Sequence, residues 1–331
     1  PVLNEYRSLL GGLFAQIHRL YGVNLMEKRV PVWHPDVRYF ELEKGGSIIG
    51  GVYLDLYARE GKRGGAWMND YRGRRRFTTG DKIGQMQTPV AYLVCNFTPP
   101  VGGKEARLSH DEIITLFHET GHGLHHLLTQ VDELGVSGIN GVEWDAVELP
   151  SQFMENFVWE YDVLAEMSAH EENGAPLPRV LFDKMVAAKN FQRGMFMVRQ
   201  MEFALFDMQI YSQSEQSRLN EWPQVLEAVR REVSVVQPPA YNRFALSFGH
   251  IFAGGYSAGY YSYSWAEVLS ADAYAAFEES DDVKATGKRF WQEVLAVGGS
   301  RSAMESFKAF RGREPQIDAL LRHSGFDADA A

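Results

Sequence analysis

The segment from Phe117 to Leu128 constrains this chain more than any other, because it places His118-Glu119-Thr120-Gly121-His122 inside an apolar stretch. Ser109, followed three residues later by Glu112, has the pattern of a capping box, which predicts a helix that begins just before His110. The apolar residues that follow recur at helical spacing and predict a buried helix: Ile113, Ile114, Leu116, Phe117, Leu124, Leu127 and Leu128.

Residues i and i+4 lie on one face of an α-helix, so His118 and His122 can bind a single metal ion from the same side. Glu119 projects close by without having to be a ligand, and it suits a general base that acts on a metal-bound water. The opposing interpretation is a helix that carries surface histidines by chance. The predicted burial disfavours it, because buried imidazoles need partners for their polar atoms. The pattern therefore predicts a zinc-dependent hydrolase.

A catalytic zinc ion takes three protein ligands and leaves one position open for water. Four carboxylates downstream are candidates for the third ligand: Glu143, Asp145, Glu148 and Glu155. Glu148, Gln152 and Glu155 fall on one face of a predicted helix, which would present its carboxylates together. A charged helix face is usually just solvated, and the residues alone do not choose among the four.

Composition excludes several other classes of function. The 331 residues carry a net charge of −10, which argues against nucleic acid or an anionic membrane as the main partner. No apolar run approaches the ~18 residues that a membrane helix needs. The lone cysteine, Cys95, cannot form an internal disulfide and predicts a reducing compartment, which we take as the cytoplasm. We see no signal peptide, and the start at Pro1 predicts a piece of a longer chain.

The pattern along the chain predicts a mainly α protein with a small antiparallel β-sheet, of the α+β class. We expect one domain over 1–331, with a helix and the sheet in about 1–105 and the metal site among helices in about 106–331. The predicted strands are 37–42, 48–58 and 91–97. The predicted helices besides the metal helix are 3–27 with Gly22 as its stop, 145–169, 179–213, 222–236, 264–279, 283–297 and 303–323. Within 179–213 we expect the Phe and Met side chains to fill the core: Phe191, Met195, Met197, Met201 and Phe203.

Two segments together resemble a known family. His118-Glu119-Thr120-Gly121-His122-Gly123-Leu124-His125, followed by Asp145-Ala146-Val147-Glu148-Leu149-Pro150-Ser151-Gln152-Phe153-Met154-Glu155-Asn156, is similar to the thimet oligopeptidase/neurolysin family of zinc metallopeptidases, with the closest match in its bacterial oligopeptidase A branch. The resemblance implies a zincin-type catalytic domain of the neurolysin-like fold. It also implies that Glu148 is the third zinc ligand, and that Asp145 and Glu155 orient the histidine N–H groups.

A third element, His250 to Trp265, also matches this family. The resemblance implies that His250, Tyr256, Tyr260 and Tyr263 hold substrate and donate hydrogen bonds to the oxyanion. The N-terminal helical half that full-length members carry is absent from this sequence. In the family that half forms one wall of a deep channel that restricts substrates to short peptides. The resemblance therefore implies a cytosolic endopeptidase for short oligopeptides, with one Zn²⁺ and with the missing half as a partner.

Two alternatives stay open. A dipeptidyl carboxypeptidase of the same family would share the zinc core and differ in how the channel recognises the substrate C-terminus. A non-catalytic peptide-binding fragment with a structural metal is the alternative from another class. Structural zinc sites usually have four protein ligands, often cysteines, so the intact Glu119 and the single Cys95 disfavour it.

Overall fold

The computed structural model describes residues 6–102 and 106–326. The N-terminal part contains one helix and all seven strands of the described chain, whose bounds are α1 Tyr6–Tyr21, β1 Asn24–Lys28, β2 Arg38–Lys44, β3 Ser47–Tyr57, β4 Trp67–Arg72, β5 Arg75–Arg76, β6 Met86–Gln87 and β7 Val90–Phe97. The α-helices that follow, joined by loops and short 3₁₀ turns, are α2 His110–Leu127, α3 Leu149–Asn156, α4 Tyr161–Met167, α5 Arg179–Lys189, α6 Arg193–Tyr211, α7 Glu215–Val233, α8 Gly249–Ala253, α9 Ser262–Glu278, α10 Val283–Phe290, α11 Ala303–Arg311 and α12 Asp318–His323.

The sheet has five strands in the order β1-β2-β3-β7-β4, and it is mixed rather than antiparallel. The β3–β7 pair is parallel, whereas the other three pairs are antiparallel. The purely antiparallel prediction is therefore wrong at the centre of the sheet. Residues 58–89 form a connection long enough to return the chain to the starting end of β3, which a parallel neighbour requires. That connection also contains β4, β5 and β6, which the sequence reading missed.

One apolar core joins the sheet to the helices that carry the site. Leu54 on β3 and Leu93 on β7 face α1 and α2, and Leu116 of α2 is fully buried in the same cluster. The predicted division near residue 105 falls in 103–105, which lie outside the described residues. A smaller apolar cluster lies between α6, α7 and α8, and Phe206 is fully buried in it.

Several predicted helices are shorter or broken. The first helix ends at Tyr21, because Gly22 takes a φ of +64°. The strand β1 occupies the end of the predicted 3–27 helix, and the first residues of that prediction lie outside the described chain. The predicted 145–169 helix is replaced by a turn over 145–148, α3, a 3₁₀ turn and α4, which ends at Met167. The predicted 303–323 helix is broken at Gly312, which has a φ of +77°. Left-handed residues cannot continue a helix, which explains the ends at Gly22 and Gly312. The break before α4 has a different cause, because Glu160 is extended, with φ of −93° and ψ of 131°.

The predicted 179–213 helix is also broken, at Gln192, where φ is +58°. The prediction that this segment fills the core is wrong for Phe191, Met195 and Met201, which are exposed on the surface of the described chain. No described helix has the length and apolar character needed to span a bilayer.

Candidate metal centre and active site

The helix α2 begins as its sequence predicts. The Ser109 hydroxyl accepts a hydrogen bond from the Glu112 backbone N–H at 3.2 Å, and the Glu112 carboxylate accepts one from the Ser109 N–H at 2.7 Å. The capping box is thus complete, and the apolar stripe of α2 is buried. His118, Glu119 and His122 are therefore carried by a rigid, well-anchored element.

The structure brings His118, His122 and Glu148 together. One possible ligand atom from each residue lies within 4.8 Å of the others. The Nε2 atoms of His118 and His122 lie 3.2 and 3.0 Å from the same oxygen of Glu148. The side chain of Glu148 is only 2% exposed, so water does little to stabilise its charge. Two imidazoles and a carboxylate form the donor set of a catalytic zinc site.

The start of α3 delivers Glu148 to this position. Pro150 occupies the first turn, as predicted, and the Ser151 hydroxyl donates to a Glu148 carboxylate oxygen at 2.8 Å. Gly121 lets α2 and α3 approach, because a Cβ atom there would lie 2.3 Å from the carbonyl oxygen of Pro150. The glycine between the two histidines is therefore a packing requirement of the site, which the sequence reading did not recognise.

The other candidate carboxylates lie elsewhere, although all are within the described residues. Glu143 accepts a hydrogen bond from the Ala303 N–H at 3.0 Å. Glu155 lies on the far side of His118, with its carboxylate 2.6 Å from Nδ1. Asp145 makes no hydrogen bond to either imidazole, and His122 Nδ1 has no partner in the described chain. Of the two residues expected to orient the histidines, the structure places Glu155 in that position and not Asp145.

The donor set fits a divalent cation. An Nδ1–H donated to Glu155 leaves the Nε2 lone pair of His118 facing Glu148, which is the tautomer a metal ligand needs. Burial alone would raise the pKa of Glu148, but the charge and hydrogen bonds of the two imidazoles hold it well below its ordinary value. Burial opposes charge on His118, yet hydrogen bonds with Glu148 and Glu155 hold its pKa well above the usual range. The pocket thus favours positive charge beside a buried carboxylate, which a bound cation supplies.

Glu119 is buried next to this group, with 5% of its surface exposed. The backbone N–H of Met68, on the edge strand β4, hydrogen-bonds its carboxylate, whereas Oε2 has no partner in the described chain. Burial raises the pKa of Glu119 above its ordinary value. A carboxylate with a free oxygen and a raised pKa is suited to accept a proton.

The four residues of the third sequence element also meet here. The hydroxyl of Tyr256 donates to Glu148, and the Tyr256 ring stacks on that of Tyr263 with centroids 4.9 Å apart. The ring of Tyr260 lies 5.2 Å from that of Tyr263, and the ring of His250 lies 5.9 Å from it. The structure therefore gathers these four side chains into one cluster beside the candidate metal ligands.

Burial decides the protonation state of this cluster. It raises the pKa values of Tyr256 and Tyr263 and raises that of Tyr260 to about 12, so all three hydroxyls keep their protons at neutral pH. Burial also lowers the pKa of His250, which favours the neutral ring. The cluster can therefore donate hydrogen bonds without adding charge.

Two residues of this region escaped the sequence reading. The Trp144 ring, half exposed, lies 4.9 Å from that of Tyr256. Asp207 on α6 is fully buried and accepts hydrogen bonds from the backbone of residues 258–260. Burial raises the pKa of Asp207, and the backbone donors oppose this shift. The one sequence signal for Asp207 is a charged residue inside an apolar helical segment.

Comparisons with known proteins bear on this arrangement. The profile described as Peptidase family M3 matches residues 4–326. Oligopeptidase A of Escherichia coli (strain K12) is 53% identical over 98% of this chain and 48% of its own length. A dipeptidyl carboxypeptidase of Salmonella typhimurium is 36% identical over 96% of the chain and 46% of its own. The chain thus spans about half the length of the curated relatives it matches. Among solved structures, "PZ peptidase A with inhibitor 2" superposes with a TM-score of 0.55 at 16% identity, covering 84% of this chain and 44% of that one, which is a likeness of fold.

Proposed function

The chain belongs to peptidase family M3, and from this premise we propose that it is the catalytic half of a zinc-dependent endopeptidase that hydrolyses short oligopeptides. The observation that carries the proposal is the convergence of His118, His122 and Glu148 beside the buried carboxylate of Glu119. The proposed partners are short peptides and the N-terminal half of a longer chain. We assign it to the cytoplasm, because its one cysteine is a buried free thiol.

Under this proposal, His118 and His122 would hold one zinc ion through their Nε2 atoms, and Glu148 would hold it through its carboxylate. When bound, the ion supplies Lewis acidity: it lowers the pKa of a coordinated water toward ~7 and polarises the peptide carbonyl. Glu155 keeps His118 in the ligating tautomer by accepting the Nδ1–H. Mn²⁺ and Co²⁺ would also suit this donor set in vitro.

Glu119 accepts the proton of the attacking water and passes it to the leaving amine. Its free Oε2 leaves one acceptor position for that proton. Tyr263, with Tyr256 or His250, donates hydrogen bonds to the oxyanion of the tetrahedral intermediate, and Tyr260 helps to hold substrate. Because the hydroxyl of Tyr256 is engaged with Glu148, Tyr256 has to leave that carboxylate before it can donate to substrate.

The test is hydrolysis of internally quenched peptides of graded length by the full-length product of the gene that encodes this chain. We expect turnover that a chelator abolishes and stoichiometric Zn²⁺ restores. Glu119→Gln should keep zinc and lose turnover by on the order of 10²–10⁴-fold, because it removes only the base. Glu119→Asp, which keeps a carboxylate one methylene shorter, should retain part of the rate. Turnover that survives the chelator, or an active Glu119→Gln protein, would refute the proposal.

The 36% identity to a dipeptidyl carboxypeptidase supports a second candidate within the same reaction class. An enzyme that releases dipeptides from a free C-terminus needs the terminal carboxylate, whereas an endopeptidase does not. Peptides amidated at the C-terminus separate the two. We expect amidated and free peptides to be cut at the same internal bonds, and sequential loss of dipeptides from the free form alone would favour the second candidate.

A further inference from the structure

The buried carboxylate of Asp207 accepts hydrogen bonds from the chain segment that contains the active-site tyrosines. We call residues 256–263, which end in the first turn of α9, the tyrosine loop. Oδ1 of Asp207 accepts a hydrogen bond from the Ala258 N–H at 2.8 Å, and Oδ2 accepts one from the Tyr260 N–H at 2.9 Å. The Gly259 N–H also hydrogen-bonds this carboxylate. Within the described chain no Lys, Arg or His side chain forms an ion pair with Asp207, so the loop backbone supplies the donors that stabilise its charge.

The conformation of the tyrosine loop explains why it needs such an anchor. Ala258 has a φ of +53°, which is the left-handed region that residues with a Cβ atom rarely adopt. A left-handed residue among right-handed neighbours turns successive backbone N–H groups toward one point, and such a concavity binds an anion. Asp207 is that anion, supplied by the protein itself. Without it, the strained backbone at Ala258 would have no compensating interaction of this kind.

The rest of α6 holds the adjoining chain on the same side. Gln200 accepts a hydrogen bond from the hydroxyl of Tyr260 at 3.0 Å, and the hydroxyl of Tyr211 donates to the Ile251 carbonyl at 2.5 Å. Positions 200, 207 and 211 are spaced i, i+7 and i+11, which places them on one face of the helix. This face therefore fixes the segment from Ile251 to Tyr260 at several points, and Asp207 is the fully buried one.

We propose that Asp207 is a positioning residue for the peptidase reaction: by fixing the tyrosine loop it sets where Tyr256, Tyr260 and Tyr263 present their hydroxyls. The inference rests on the proposed function, because it assigns the loop a task in that reaction. The hydrogen bonds of Asp207 go to the loop and not to His118, His122 or Glu148. Its loss should therefore misplace the hydroxyl donors while the zinc ligands stay in place.

The experiment compares Asp207→Asn with the wild type in the full-length product of the gene. Asparagine has nearly the same shape but turns an N–H₂ group toward one of the loop N–H donors. We expect kcat to fall by on the order of 10- to 100-fold, as for misplaced catalytic groups, with a smaller change in KM and an unchanged zinc content of one ion per chain. Amide hydrogen exchange should accelerate at residues 258–260 and stay unchanged in α2.

Substitutions at Ala258 test the loop without touching α6. Ala258→Gly relieves the strain of the positive φ, so in the wild-type background it should leave kcat unchanged. Added to Asp207→Asn, it should raise the kcat of that variant about three- to tenfold. Ala258→Val places a β-branched residue at the same φ and should lower kcat in the same way as Asp207→Asn. The Ala258 variants also decide the question should Asp207→Asn fail to fold.

The matched control is Asp272→Asn, since Asp272 is another buried aspartate whose partners, Arg311 and Arg313, are not in the tyrosine loop. It should lower thermal stability and leave kcat unchanged at temperatures well below unfolding. The inference is wrong if Asp207→Asn keeps kcat within twofold, loses zinc, or accelerates exchange equally across the whole chain. A wild type that binds zinc but hydrolyses no peptide would instead refute the proposed function, and the exchange at 258–260 would still decide whether Asp207 holds the loop.

Discussion

Glu155→Ala removes the carboxylate that lies 2.6 Å from His118 Nδ1 and leaves the other contacts of the metal centre in place. The histidine then loses the partner that fixes its tautomer and ring orientation and that makes its Nε2 more basic. His122 gives an internal comparison, because its Nδ1 has no partner in the described chain. The zinc affinity of this site should therefore depend strongly on a single orienting carboxylate.

The size of the effect follows from the geometry and exposure of this contact. Loss of such an outer partner typically weakens metal binding by about 10- to 100-fold. The Glu155 side chain is 33% exposed, so water screens part of its interaction with the imidazole. We therefore expect the lower part of that range, about 10- to 30-fold, which corresponds to about 1.4–2 kcal/mol. Glu155→Gln keeps an acceptor but loses the charge, and it should fall between the wild type and alanine.

The assay is competition for Zn²⁺ against a chromophoric chelator at fixed pH and salt. Asp145→Ala is the matched control, since Asp145 belongs to the same segment but makes no hydrogen bond to either imidazole, and its affinity should stay within twofold of the wild type. A Glu155→Ala protein that binds zinc as tightly as the wild type would refute the reasoning. So would an equal loss in the Asp145→Ala control.

Three further predictions address catalysis, packing and pH. Tyr263→Phe should lower kcat by on the order of 10²–10³-fold and change KM less, as steady-state kinetics would show, because it removes a proposed oxyanion donor; an unchanged kcat would mean that Tyr263 serves only in packing. Gly121→Ala should cost about 2–4 kcal/mol in urea unfolding and weaken zinc binding, because the new Cβ meets the Pro150 and Ser151 backbone. Gly123→Ala, whose new Cβ would lie nearest the Leu93 side chain at 3.1 Å and not against backbone, should cost much less, and equal costs would contradict this packing argument. Burial would raise the pKa of Asp272, but hydrogen bonds from Arg313 and Gln316 hold that pKa below its usual value. The ionised carboxylate therefore stabilises the fold fully above the unfolded-state pKa near ~4, and this stabilisation is lost as pH falls through the folded-state pKa. Asp272→Asn should thus cost about 2–4 kcal/mol at pH 7, and the difference from the wild type should narrow below pH 4 in unfolding curves; a gap that widens there would contradict the sign.

The helix α2 and its first residue could be predicted almost completely from the sequence. Ser109 and Glu112 predict the first turn of α2, and the structure contains both hydrogen bonds of that capping box. These interactions are local, and a local pattern suffices to predict them. The position of Glu148 is different, because it depends on how α3 crosses α2 at Gly121. Spacing alone left four carboxylates open, and only the family resemblance favoured Glu148 before the structure placed it against both imidazoles.

Non-local features account for the main errors. The parallel pairing of β3 with β7 depends on where a long connection returns, which the alternation of apolar residues within each strand does not record. Gln192 adopts a left-handed conformation although it is not a glycine, so the sequence does not mark this helix break. The contact of Asp207 with the tyrosine loop joins residues about fifty positions apart in the sequence. The strand pairing and the Asp207 contact depend on tertiary packing, and hydrophobic periodicity reports only which side of an element is buried.

The most direct test of the account is anomalous X-ray scattering at the zinc absorption edge from crystals of the protein grown with Zn²⁺. The account predicts one strong peak, bonded to Nε2 of His118, Nε2 of His122 and the Glu148 carboxylate at distances near ~2.0–2.2 Å. A peak bonded instead to Glu143, Asp145 or Glu155 would contradict it. So would the absence of any peak among His118, His122 and Glu148.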